Sequence, residues 1–406
     1  MPAVLATSVV ALLASHAVDA RAQTACADLS LANPVVVAGS TTIKPFIAKV
    51  ATRLAGQSPP VTIFYKGNSS CEGVGAMSTT ASVPLTGTAD YFSSSGVDST
   101  CTLPAAGLAV DIGASDVFAA TCALTLASGH KDFRGPTITY GFVMAPAVAV
   151  DAISAEQAYL VYGFGAVSNE VEPWTNDAVI YRRGATSGTH LVMSAAIGVP
   201  SVKVKGTDVA SSGAMVSSIA VAATNGNAEA AIGILSADVY DVNKSSLKWL
   251  AFQAYGQTCG YLPNSTASSF DKANVRDGHY VPWAAEHFVT AVDGGGHATN
   301  PNVAKVLDLL IVAPSLTDDV AAATIDAAAT GSLIPDCAMH VTRTSEVGPL
   351  ASYQPTRGCE CSYLKSATGS APADCKVCTA ANAATACKTS AGARGTACNY
   401  GYCEAQ

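Results

Sequence analysis

The stretch Ile180-Tyr-Arg-Arg-Gly-Ala-Thr-Ser-Gly-Thr-His190 sets a permanent cation beside a run of hydroxyls and free backbone amides. Residues 178–181 read as a strand that ends in Arg182 and Arg183. Residues 184–189 form a turn rich in Gly and Thr, and an apolar segment with helical character begins at Leu191. Ser187, Gly188 and Thr189 therefore fall at a helix N-terminus, where the first amides lack intrahelical partners and the helix dipole favours negative charge. Arg183 adds a planar fork of donors suited to tetrahedral oxyanions. A solvated surface turn is the competing reading of any single Ser-Gly-Thr copy.

Three more segments repeat the arrangement. Val35-Val-Val-Ala-Gly-Ser-Thr-Thr-Ile-Lys-Pro45 reads as strand, small-residue turn and helix, with Ile43, Phe46, Ile47, Val50 and Leu54 on one helical face. Pro45 is tolerable in the first turn, and Gly56 is a stop. Ser40, Thr41 and Thr42 lie where that helix opens. A second strand over residues 61–65 runs into Lys66-Gly-Asn-Ser-Ser70, and a third apolar run ends in Ser115 and Asp116. Each alone reads more readily as a routine N-cap. Four such strand ends on one chain point to an open α/β sheet, which binds ligands outside the carboxyl ends of its strands.

In this order, Gly39-Ser-Thr-Thr-Ile-Lys-Pro45, Gly67-Asn-Ser-Ser70, Asp111-Ile-Gly-Ala-Ser-Asp116 and Arg182-Arg-Gly-Ala-Thr-Ser-Gly-Thr189 resemble the phosphate-binding proteins that serve periplasmic ABC importers. Weaker matches are Ile153-Ser-Ala-Glu-Gln157, a capping-box helix start, and Ala231-Ile-Gly-Ile-Leu235; the likeness covers residues 33–350. It implies an α/β fold of the two-lobed periplasmic-binding-protein class with a double crossover hinge. It also implies a non-enzymatic role in capturing inorganic phosphate for an ABC permease, with no cofactor and no metal. By the same likeness Thr41 and Thr42 bind the ligand from the first helix and Ser69 from the second turn. Asp116, Arg183, Ser187, Gly188 and Thr189 complete the site.

Asp116 carries the sharpest chemistry. An ionised carboxylate only accepts hydrogen bonds, so it repels an anion unless that anion still has a proton to donate. Phosphate near neutral pH keeps one and sulfate does not, which would make Asp116 a filter against sulfate. The chain departs from the family in two places. Ala185 stands where relatives commonly carry an acidic residue touching the Arg. The connection between Ser70 and Asp116, containing Cys71 and Cys101, is much longer and would roof the cleft or enlarge the ligand.

With 406 residues the chain can hold two lobes and a tail. Only 13% of residues are charged, the net charge is -8, and there is no Lys or Arg block, which argues against nucleic-acid binding. Residues 4–18 are almost entirely apolar and lead to Ala20-Arg-Ala22, the pattern of a secretory signal over residues 1–22, although no Lys or Arg precedes it. No later stretch is long enough to span a bilayer. The expected location is periplasmic or extracellular, which suits 13 cysteines as disulfides. Six lie in the body (Cys26, Cys71, Cys101, Cys122, Cys259, Cys337) and seven crowd into residues 359–403; their pairing is open. Cys359-Glu-Cys361 and Cys375-Lys-Val-Cys378 fit no standard zinc finger.

The expected division is lobe one over residues 27–142 and 277–346, lobe two over 143–276, and a Cys-rich C-terminal module over 347–406. Two crossings between lobes, near 140–146 and 275–283, would permit hinge closure. Two other functions compete. One is an extracellular or surface-attached scavenger of phosphate or another oxyanion, uncoupled from a transporter. The other is a secreted hydrolase. Against the hydrolase, Gly184-Ala-Thr-Ser-Gly188 is not a G-x-S-x-G elbow, and His190, His279 and His287 read as ordinary surface or partly buried side chains.

Overall fold

The computed structural model describes residues 24–79, 84–166, 171–388 and 395–404. The expected export signal lies outside the described residues. β1 (Pro34–Gly39) leads into α1 (Lys44–Ala55), β2 (Thr62–Gly67) and α2 (Ser70–Gly75). Helix α1 starts with Pro in its first turn and buries Phe46, Ile47, Val50, Ala51 and Leu54. Each large member of that face contributes about 1.5–3 kcal/mol of burial. The long connection that follows holds β3 (Thr88–Phe92) and β4 (Asp98–Thr102), then β5 (Ile112–Ser115) and the 15-residue β6 (His130–Met144). Strands β1, β2 and β5 are parallel neighbours, with Gly39 level with Gly67 and Ala114. Their carboxyl ends therefore open at one edge. The β3–β4 hairpin adds antiparallel strands beyond β2, so this part of the insertion extends the sheet sideways.

The second lobe contains β7 (Ala152–Ser154), α3 (Ala155–Phe164), β8 (Tyr181–Arg183), α4 (Gly188–Ala196), β9 (Thr207–Val209) and α5 (Ser212–Ala222). It continues through β10 (Gly233–Ser236), α6 (Ala237–Val242), β11 (Lys248–Trp249) and β12 (Ala251–Gln253). The expected capping box is present at Ser154 and Gln157. Strands β8 and β9 pair in parallel, and Tyr181 N–H donates to the Ile232 carbonyl (2.8 Å), which ties them to the strand leading into β10.

The chain returns through α7 (Ala273–Arg276), β13 (Trp283–Ala291), α8 (Pro301–Leu310) and α9 (Asp318–Thr330). β13 inserts antiparallel between β5 and β6. β6 is the bridge between lobes: its first part, up to Thr139, pairs with β13, and from Tyr140 onward it pairs with β10 and then β11. The crossing is thus a continuous strand that changes partner, not a loop. The second crossing, between α7 and β13, is pinned beside it: the buried Tyr280 hydroxyl donates to the Tyr140 carbonyl (2.7 Å) and accepts from Trp249 Nε1 (3.0 Å). The molecule is a two-lobed α/β fold with a double crossover.

The tail comprises β14 (Val341–Thr342), β15 (Ala351–Ser352), α10 (Glu360–Thr368), α11 (Ala383–Ala386), β16 (Ala397–Asn399) and β17 (Tyr402–Glu404). Three disulfides staple it internally: Cys361–Cys375, Cys378–Cys398 and Cys387–Cys403. It is also anchored to the body. Cys337 pairs with Cys359, Arg276 meets Glu360 (2.5 Å), and Tyr363, Leu364 and Tyr400 join the main core. The body holds Cys26–Cys101 and Cys71–Cys122, and Cys259 is free and exposed. All four cysteines of the zinc-like spacings are consumed in disulfides. Among the described residues no helix is long and apolar enough to cross a membrane.

Candidate functional site

The first half of the site is the open edge of lobe one. Gly39, at the end of β1, has φ +135°, and a Cβ there would stand 1.9 Å from the Ala114 carbonyl oxygen. Glycine alone lets the chain leave β1 this close to β5. The turn that follows places the buried Ser40 and Thr42 hydroxyls 2.8 Å apart, and both donate to Oδ1 of Asp116, Thr42 at 2.8 Å. The Tyr65 hydroxyl donates to the Ser40 carbonyl and fixes the turn from beneath. Asp116 N–H donates to Ser70 Oγ (3.3 Å) at the start of α2. Asp116 itself is 1% exposed.

The second half comes from lobe two. Arg183 ends β8, is 7% exposed, and donates from a terminal nitrogen to Ser212 Oγ (2.6 Å). Its Nε is enclosed and has no hydrogen-bond partner. Burial lowers its pKa, while the nearby carboxylates of Asp116 and Asp238 oppose that shift. Helix α4 opens at Gly188 with Ser187 as N-cap, and the Ser187 side chain makes no capping bond. The first amides of α4 are therefore available to an anion. Thr189 Oγ1 is enclosed and unpartnered.

Gly188 joins the halves. A Cβ on it would lie 2.3 Å from Asp116 Oδ2, 2.5 Å from Asp116 Cβ and 2.6 Å from Ser70 Oγ. The start of α4 is thus pressed against Asp116, and Cys71 N–H donates to the Thr186 carbonyl across the same seam (3.5 Å). Of the residues expected from sequence, Thr42, Asp116, Arg183, Gly188 and Thr189 are buried at this junction. Thr41 is exposed. Ser69 is partly exposed and spends its side chain capping α2, accepting from Glu72 N–H (3.4 Å). Ser187 is partly exposed at the head of α4.

Sequence reasoning did not single out Ser70, Ser212, Tyr140, Asp238 or Glu286 as members of the site, and it passed over Ser40 in favour of Thr41. Asp238, at the start of α6, is held up to about 7 by burial and by the Asp116 charge, with Oδ1 enclosed and unpartnered. It is the acid facing Arg183 where Ala185 lacks one. Glu286, in the middle of β13, is 0% exposed, and burial followed by the Asp116 charge holds it well above the usual carboxylate range. The signal available in sequence was an acid embedded in Trp283-Ala-Ala-Glu-His-Phe288, an otherwise apolar run apart from its neighbour His287. The histidines lie off the site's contact network. His190 is fully buried with Nε2 on the Ser201 carbonyl (2.9 Å), His279 stacks on Tyr261, and His287 pairs with Asp132 (2.7 Å). Burial of His190 and of His287 corrects their expected surface or partly buried placement: α4 turns the first inward, and the second lies in β13 between β5 and β6.

No protein-family model matches the sequence, and no curated protein matches it. Solved structures resemble its architecture. A putative phosphate ABC transporter substrate-binding protein with bound phosphate from Clostridium perfringens is 17% identical, over 75% of this chain and 99% of that one, with a TM-score of 0.49. An ABC-type phosphate transport receptor from Vibrio cholerae is 17% identical over 68% and 93%, TM-score 0.44. The regulatory domain of CcmR from Synechocystis, in complex with 2-PG, is 12% identical over 70% and 98%, TM-score 0.40.

Proposed function

We propose that this chain is an exported solute-binding protein that captures inorganic phosphate between its lobes and delivers it to an ABC importer. One observation carries the reading: the unpartnered Nε of Arg183 and the uncapped start of α4 meet the Ser40–Thr42–Asp116 cluster of the other lobe through Gly188. A guanidinium, helix-start amides and hydroxyls supply donors to an oxyanion, while Asp116 supplies an acceptor. That combination selects an anion that retains a proton. Ligand contacts drawn from both lobes favour the closed form, which a permease can read as occupancy. Export agrees with six disulfides.

Calorimetric titration with phosphate and sulfate tests the ligand. Phosphate should bind and sulfate should not. Arg183→Ala should weaken phosphate by about 2–5 kcal/mol, as expected when one partner of a desolvated charge contact is removed. Asp116→Asn should admit sulfate, because the unmet acceptor that costs about 1–3 kcal/mol becomes a donor. Sulfate exclusion unchanged in Asp116→Asn would remove the role given to Asp116.

A further inference from the structure

Glu286 sits where a carboxylate has no support. Glu286 falls just beyond the His287–Ser115 pair of the β13/β5 register, at the irregularity between Ala285 and His287 in the pairing of β13 with β6, and its carboxyl lies beside that of Asp116. It is fully buried, neither carboxyl oxygen accepts from a protein donor, and the group within hydrogen-bonding reach is the Asp116 carboxyl. The titratable groups that bear on it are Asp116 at the end of β5, Asp132 and Tyr140 on β6, and Tyr65 on β2. They are acids and phenols; the nearby imidazole of His287 is engaged by Asp132. Two adjacent carboxyls in an enclosed site cannot both ionise, and hydrogen bonds to the charged form decide which one does. Asp116 accepts from Ser40 and Thr42, and Glu286 accepts from no protein group. The proton belongs on Glu286.

We propose that Asp116 and Glu286 form a one-proton carboxyl pair in which Glu286 is a specificity-determining hydrogen-bond donor beside the Asp116 acceptor. This deepens the proposed phosphate site and rests on that reading for its ligand. A donor and an acceptor side by side match a ligand that presents an anionic oxygen next to a hydroxyl, as a hydrogen phosphate or hydrogen arsenate does. The O–H of Glu286 also adds no negative charge to the pair, so the cleft accepts an anion beside two carboxyl groups.

Two measurements on the full chain test this. In ligand-free protein, the carbon-13 shift of the Glu286 carboxyl should stay at its protonated value through neutral pH; an ionised carboxyl there would overturn the pair. Phosphate titration of variants tests the role. Glu286→Gln, which keeps a neutral donor, should bind within about threefold of the unaltered chain, and Glu286→Met should lose tenfold or more. Equal affinity of the Met variant would overturn the role, as would a loss in the Gln variant as large as that in the Met variant. Failure of the unaltered chain to bind phosphate would remove the ligand assignment and with it the role in recognition. The proton on Glu286 is read without ligand and stands or falls separately.

Discussion

Adding one methyl group at Gly188 tests whether the seam between lobes is the binding site. In Gly188→Ala the new Cβ would approach Asp116 Oδ2 to 2.3 Å, Asp116 Cβ to 2.5 Å and Ser70 Oγ to 2.6 Å. Carbon atoms rest about 3.5–4.0 Å apart, so the overlap with Asp116 Cβ is more than about 1 Å. That atom is tied to the backbone of β5, and no flexible end can swing away. Relief must come from moving α4 off lobe one. Overpacking of this kind costs typically about 1–3 kcal/mol, and under the proposed hinge closure it would fall on the closed form, since the side chains the methyl would meet, Asp116 and Ser70, belong to the opposite lobe. Apparent affinity scales with the fraction of competent closed molecules, so phosphate binding should weaken by roughly 5- to 150-fold. The unliganded melting temperature should change little, since the cores of both lobes are untouched. Titration calorimetry gives the affinity, and small-angle scattering with and without phosphate shows whether the lobes still close. An alanine variant that binds and closes like the unaltered chain would refute the placement of the ligand at this seam.

The remaining predictions concern stability. Lys272 and Asp241 form an ion pair at 2.6 Å with side chains 2% and 6% exposed. Lys272→Met keeps the aliphatic stem but strands a buried carboxylate, and should cost about 3–5 kcal/mol in urea unfolding. Lys272→Met combined with Asp241→Asn should recover a large part of that loss. His340 is raised from its ordinary 6.5 to about 9 by hydrogen bonds to Asp277 (2.7 Å) and Glu360 (3.3 Å). Because the folded value lies above the unfolded one, its stabilisation is complete below 6.5 and is lost as pH rises through about 9. The group is 45% exposed, so screening keeps the effect of His340→Gln under about 1 kcal/mol. The difference in melting temperature between His340→Gln and the unaltered chain should be present at pH 6 and absent by about pH 10.

The elements that build lobe one were legible because local and global signals agree there. The apolar spacing of Phe46, Ile47, Val50 and Leu54, Pro45 in the first turn and the stop at Gly56 all describe α1 as it stands. Ser154 and Gln157 announce α3 in the same way. Residues 88–102 were opaque, because a hairpin at a sheet edge has no partner visible in its own sequence. The disulfide joining the tail to the body was equally hidden: Cys337 and Cys359 are 22 residues apart in sequence, and only the packing of α10 on α9 brings them together. Within the site, legibility followed motif density. Asp116, Arg183 and Gly188 end or begin elements and carry turn chemistry around them. Glu286 interrupts a strand, and what it faces is decided by the register of β13 against β5, which no local pattern encodes.

That difference bears on how an acidic chain can hold an anion. The net charge of -8 gives no long-range attraction to phosphate. Close to the seam stand one guanidinium, Arg183, and three carboxyl groups, Asp116, Asp238 and Glu286. If all three were ionised the cleft would repel its ligand. Burial and then the Asp116 charge hold Glu286 well above the usual carboxylate range, and burial with the Asp116 charge raises Asp238 to about 7, so both acids are less readily ionised than a solvated carboxylate. Asp116 keeps its role as acceptor through the hydroxyls of Ser40 and Thr42. In the proposed site, attraction would come from Arg183 and the first amides of α4, both held on lobe two, while Asp116 beyond β5, fixed by the Ser40 and Thr42 hydroxyls beyond β1, would read the proton of the guest. In the proposed mechanism the two sets of groups reach one ligand only with the lobes together, which would make recognition and lobe closure one event.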